Sequence, residues 1–179
     1  TAANILARGG ASSIGTGVVL AGGATEIGLL VNSGSTLTVN GTFTNAQNLT
    51  KALGGNVIFN SRQFFNTGGN YFTLFGTGTV TLAGGDNTLY QGLQTAQGQH
   101  LAVGVGATLD LGGNIQVVGD LNSANRNAFA GSGGIVTGTG TFVSVALGAA
   151  TNWGGSIQGA GLFFNKAGSQ TSTFRSEEH

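Results

Sequence analysis

Regular structure in this chain is confined to short bursts. Runs such as Thr36-Leu-Thr-Val39, Asn56-Val-Ile-Phe59, Thr79-Val-Thr-Leu82 and Ile115-Gln-Val-Val118 alternate apolar with polar residues, and Gly, Asn or Ser closes each one. Alternation with period two is the pattern of a strand with one buried face. Further runs are Ile27–Val31, Tyr71–Phe75, Leu101–Val103, Thr108–Leu111, Gly134–Val136, Thr141–Val143 and Leu162–Phe164. Only Asn45–Leu53 and Asn122–Phe129 lack strand character, and these are expected to be loops or a short helical turn. Glycine fills 35 of 179 positions and proline none. So much glycine raises the entropy lost on folding and adds no side-chain burial, so backbone hydrogen bonding has to supply cohesion. The expected class is all-β.

Charge is scarce: six basic residues face six acidic ones, 7% of the chain in all. A nucleic-acid partner would need an excess of Lys and Arg. Disorder is excluded by 40% apolar content without proline, and collagen by the missing Gly-X-Y-proline pattern. Disulfides and thiolate metal sites need cysteine, of which there is none.

A degenerate unit recurs: Ser33-Gly-Ser-Thr-Leu37, Gly76-Thr-Gly-Thr-Val80, Gly104-Val-Gly-Ala-Thr-Leu109 and Gly138-Thr-Gly-Thr-Phe142. Repeats at such spacing mean stacked units, none able to bury its apolar face alone. Three short strands per coil, joined by Gly- and Asn-rich corners, give a parallel β-solenoid. At about 20–25 residues per coil it would have roughly seven or eight coils. An antiparallel sandwich would show regular hairpin turns, and only Asn40-Gly41 fits one. Residues 1–174 read as a single β-helical segment of something longer. The tail Arg175-Ser-Glu-Glu-His179 looks foreign in composition, vector-derived or disordered. No signal peptide is visible at Thr1–Arg8, and no uncharged apolar run has the length of a membrane span.

The stretch Gly76-Thr-Gly-Thr-Val-Thr-Leu-Ala-Gly-Gly-Asp-Asn-Thr-Leu-Tyr-Gln-Gly92 resembles the passenger-associated repeat of bacterial autotransporters. Gly104–Gly113 is similar to the closing strand of that unit, and Gly159–Gly168 to the opening of the next. The likeness covers Gly76 to Gly168 best. It departs at the doubled Gly84-Gly85 and after Gly168, where Ser-Gln-Thr-Ser-Thr-Phe174 replaces the expected strand. The resemblance implies a right-handed parallel β-helix exported through periplasm and outer membrane and displayed outside a Gram-negative cell. Its implied partners are adjacent passenger coils and a C-terminal outer-membrane barrel, with no membrane insertion of this segment. The lack of cysteine fits threading across that membrane.

Reactive constellations are thin. Each Gly-x-Gly leads into a strand, and Thr81, Leu109 and Val143 stand where a dinucleotide loop needs its third glycine. No Gly-x-Ser-x-Gly elbow occurs, and His100 reads as a surface or corner residue. Asp86 and Asp110 lie about one coil apart, so stacking in neighbouring rungs would let them share a proton or cation, as a glycan-processing enzyme requires. The plainer reading is one corner Asp and one outward Asp. The cluster Phe59, Phe64, Phe65, Tyr71, Phe72 and Phe75 reads first as an internal aromatic stack, and otherwise as an exposed strip for sugar or partner contact. Trp153, between Asn152 and Gly154, is expected at a corner.

The expected role is therefore structural and adhesive, without catalytic residues, cofactor or metal. Asn, Thr and Gln at edges and corners would meet a host glycan or protein, and Asp86, Asp110, Trp153 and Tyr71 are the candidate contact residues. A self-assembling filament subunit, joined through open solenoid ends, is the alternative.

Overall fold

Every strand of this chain lies beside the strand one coil away, so the alternation seen along the sequence becomes stacked columns in space. The computed structural model describes residues 2–19, 26–44, 48–65, 71–91, 100–123, 130–146 and 150–175. Strands come in groups of three. β1 (Ala2–Ala7), β2 (Ala11–Ile14) and β3 (Val18–Val19) open the chain, followed by β4 (Glu26–Val31), β5 (Thr36–Val39) and β6 (Phe43–Thr44). Next are β7 (Asn48–Ala52), β8 (Asn56–Phe59) and β9 (Gln63–Phe65), then β10 (Tyr71–Leu74), β11 (Gly78–Leu82) and β12 (Leu89–Gln91). β13 (His100–Val103), β14 (Ala107–Asp110) and β15 (Ile115–Val118) precede β16 (Asp120–Asn122), β17 (Ile135–Thr137) and β18 (Gly140–Val145). The chain closes with β19 (Thr151–Trp153), β20 (Ser156–Ile157), β21 (Leu162–Ala167) and β22 (Ser172–Phe174).

The first face is the sheet β1-β4-β7-β10-β13-β16, and the second is β2-β5-β8-β11-β14-β17-β20. The third face is in three pieces, β3-β6, β9-β12 and β15-β18-β21. β19-β22 extends the first face, because Ser123 N–H donates to the Asn152 carbonyl at 3.0 Å. All strand pairs are parallel, as in β1 with β4, β11 with β14 and β18 with β21. The all-β solenoid expected from the repeats is thus the fold, with no helix among the described residues. Six steps separate the seven strands of the second face, about six turns, slightly fewer than the seven or eight expected. Coil length explains the difference. Bonded residues on successive coils are 20 apart at Asn40–Asn60 and 30 apart at Asn122–Asn152, a wider range than expected.

Inward residues stack into apolar columns. On the first face Ile27, Leu49, Phe72, Leu101 and Leu121 lie in register, all buried. Leu37, Val57, Val80, Leu109 and Val136 do the same on the second. Phe59, stacked between Val39 and Leu82 on the second face, meets Phe72 of the first edge to face, with ring centroids 6.1 Å apart. Three of the four recurring small-residue units open second-face strands, β5, β11 and β14, while Gly138-Thr-Gly-Thr-Phe142 opens β18 on the third. The unit needs glycine for two reasons visible at Gly78. Its φ is +91°, and a Cβ there would lie 2.3 Å from the Gly55 carbonyl oxygen of the preceding coil.

Asn48–Ala52, expected as loop or helical turn, is a strand, with Leu49 and Lys51 inward. Asn45–Gln47 and 124–129, the rest of the two non-strand windows apart from Asn122, Ser123 and Leu53, lie outside the described residues. Lys51 is fully buried, and its ammonium donates to the carbonyls of Leu53, at 2.8 Å, and Thr77. Burial holds its pKa below the ordinary lysine value, since the apolar interior penalises the charge.

The breaks in the third face are bridged by side chains. Gln63, fully buried, accepts from the Phe43 N–H at 2.8 Å and donates to the carbonyls of Ser61, at 2.7 Å, and Gly41, at 3.2 Å. Gln116 accepts from the Leu89 N–H at 3.5 Å and donates to the Gly85 carbonyl at 3.2 Å. Each amide supplies N–H donors and a carbonyl acceptor, as a backbone unit supplies one of each, so it closes the gap between sheets. Gln was expected at edges and corners for outside contact, and these two are instead buried and structural.

Candidate contact surfaces

Outward positions on the first face form a polar column: Glu26, Asn48, Tyr71, His100 and Asp120, one per coil. The Asn48 side chain accepts from the Tyr71 N–H at 3.0 Å, which fixes the start of β10. The Tyr71 ring stacks on His100 with centroids 4.6 Å apart and planes 23° from parallel. His100 Nδ1 meets Asp120 Oδ1, and the Asn122 amide donates to Asp120 Oδ2 at 3.0 Å. Asp120 is only 4% exposed, and these two partners replace the water its carboxylate loses. With Nδ1 turned to the carboxylate, the imidazole is held in one orientation.

The outer side of the third face is aromatic and apolar. Phe64 and Tyr90, paired across β9 and β12, have ring centroids 5.3 Å apart and are 41% and 39% exposed. The Arg62 guanidinium lies 5.7 Å from the centre of the Tyr90 ring and donates to the Asp86 carbonyl at 2.9 Å. Farther along this face Ile115 and Phe163 are also exposed, each opposite Thr141. The second face differs. Its outward positions include Thr36, Thr38, Thr79, Thr81, Thr108 and Thr137, a half-buried hydroxyl surface.

Of the four candidate contact residues, Tyr71 is exposed and joins His100 and Asp120. Asp86 sits at the corner before β12, where its carboxylate accepts from the Ile115 N–H at 2.8 Å. Asp110 lies in β14 with Thr81 and Thr137 as rung neighbours, and accepts from the Gly112 N–H at 3.0 Å. Asp86 and Asp110 are therefore not stacked: their 24-residue separation matches no local register, because β11 and β14 are offset by 29, as Thr79 opposite Thr108 shows. Trp153 is not at a corner. It belongs to β19, is 2% exposed, and is withdrawn from any outer contact, its Nε1 without a hydrogen-bond partner. Part of it lines a cavity of about 490 Å³ beside β20, with Ile157, Phe174 and Arg175. The phenylalanine cluster divides: Phe59 and Phe72 are core, while Phe64 and Phe75 are exposed. The side chain of Phe65 lies outside the described residues.

The sequence reading passed over Arg62, Tyr90 and the His100–Asp120 pair. Coil alignment is the signal that exposes them, and unequal coil lengths concealed it. Among the described residues no three His, Cys, Asp or Glu side chains are grouped to hold a metal ion. Comparison of the chain with family models, curated proteins and solved structures gives no match.

Proposed function

We propose that the chain is a non-enzymatic structural and adhesive β-solenoid of the autotransporter passenger kind, displayed at the cell surface, whose third face makes the contacts. The observation that carries this reading is the pairing of the exposed rings of Phe64 and Tyr90 across β9 and β12, with the Arg62 guanidinium beside them. Exposed aromatic pairs on a preordered surface bind with little loss of side-chain freedom. The inner columns keep that surface stiff, which suits a contact made repeatedly along one axis. Adhesion of beads coated with the chain to cells or extracted surface glycans tests the proposal. Phe64→Ala with Tyr90→Ala is expected to lower adhesion at least tenfold, and Thr79→Ala with Thr81→Ala to leave it unchanged. Equal adhesion by both double variants would overturn the assignment to the third face.

A second reading, self-assembly into a filament, draws on the two ends of the core. Ile5, Ile14 and Val18 at one end and Ile157, Leu162 and Phe164 at the other are only partly buried against it. Another coil stacked on either layer would complete it. Light scattering against concentration separates the readings, since assembly through the ends makes particles lengthen as concentration rises.

A further inference from the structure

The Arg62 guanidinium is held in place by the Asp86 carbonyl and the Tyr90 ring without being neutralised. No carboxylate lies within salt-bridge reach of it among the described residues. The nearby Asp86 turns its carboxylate to the next coil, where Oδ1 accepts from the Ile115 N–H. A guanidinium presents five donors, and one contact to a carbonyl leaves the rest of the fork for an anion. Beside it stand the partly exposed rings of Phe64 and Tyr90.

We infer that Arg62, Phe64 and Tyr90 form a subsite for an acidic sugar unit, a uronate or similar carboxylated pyranose within a glycan chain. This rests on the adhesive reading above and names the ligand class of the same face. Three features of the site select that ligand. The rings offer apolar faces on which the C–H side of a pyranose stacks. The unpaired guanidinium, one coil from Phe64's partner ring, takes the carboxylate by paired N–H donors. The site is the outside of a sheet, where β9 and β12 pair with each other and their outer edges are closed against β6 and β15 by the Gln63 and Gln116 amides, so no strand edge is open to add a peptide strand. An acidic peptide would have the charge but neither the stacking face nor the edge. The site is open to solvent, so affinity per sugar is low and repeated units along a polymer supply avidity.

The test uses the full chain and two polymers of the same ring, polygalacturonate and its fully methyl-esterified form, with binding read by biolayer interferometry. Polygalacturonate is expected to bind at least tenfold more tightly than the ester, with the difference shrinking as salt is added. Arg62→Gln is expected to abolish that preference while keeping weak binding to both, and Phe64→Ala with Tyr90→Ala to weaken both. Tyr71→Ala, on the first face, is expected to change neither. Equal binding of the two polymers, or an unchanged preference in Arg62→Gln, overturns the acidic-sugar subsite but leaves adhesion through the third face standing. Loss of neither polymer in the Phe64/Tyr90 double variant overturns both. Poly-Glu binding as tight as polygalacturonate would show recognition of charge alone and overturn the sugar assignment. Far-ultraviolet circular dichroism of each variant establishes that the β fold is retained.

Discussion

The second and third faces are built from the same kind of strand and held together in different ways. On the second face seven strands run in one unbroken ladder beneath outward Thr side chains. On the third, three short sheets are joined by the buried amides of Gln63 and Gln116. A continuous ladder satisfies its own N–H and C=O groups, whereas a broken one needs side chains to do so. Continuity leaves the second face little need of side chains, Asn56 accepting from the Thr79 N–H at the start of β11, whereas discontinuity makes the third depend on Gln63, Gln116, Asp86 and Asn87.

The largest effect is expected from breaking the join. Gln63→Leu leaves the Phe43 N–H without an acceptor and removes donors from two carbonyls, all in the interior. A buried unsatisfied group costs about 1–3 kcal/mol, so a loss of about 3 kcal/mol in urea unfolding is expected. Next comes a strike at a second-face corner. Gly78→Ala places a methyl group against the Gly55 carbonyl at positive φ and is expected to cost about 2 kcal/mol by the same measurement. Smaller again is the alkaline response of Lys51. Its lowered pKa means the unfolded chain binds the extra proton between that value and the ordinary lysine pKa. Stability should therefore rise with pH through that window and be insensitive to Lys51 below it; Lys51→Met should remove the rise. Thr79→Val on the second face is expected to change stability by about 0.5 kcal/mol or less, because its hydroxyl has no partner to lose.

Much of this was legible from residues alone. The bounds of β5, β8 and β15 coincide with alternating runs, because half-burial in a stacked sheet imposes period two on the sequence. The recurring small-residue unit announced stacking, since glycines such as Gly76, Gly78 and Gly140 fit where coils approach within a Cβ of one another. Lys51 shows where such reading fails. A charge at an inward position breaks the apolar pattern, and only the Leu53 and Thr77 carbonyls reveal why it is tolerated. Trp153 failed for another reason: its neighbours Asn152 and Gly154 signal a corner, yet Asn152 is the outward member of a short strand. The Tyr71–His100–Asp120 contact depends on register between coils of different length, which local pattern does not encode. Composition does not distinguish Phe64 from Phe59, one exposed and one buried in adjacent strands.

Oxidative footprinting of the chain, free and bound to an adhesive surface, tests the contact face most directly because it labels exposed aromatic rings. Tyr90, Phe64 and Tyr71 are all open to labelling in the free rod. Contact through the third face predicts that binding protects Phe64 and Tyr90 and leaves Tyr71 labelled as before. Protection of Tyr71 with Phe64 and Tyr90 still labelled would contradict it and transfer the contact to the first face.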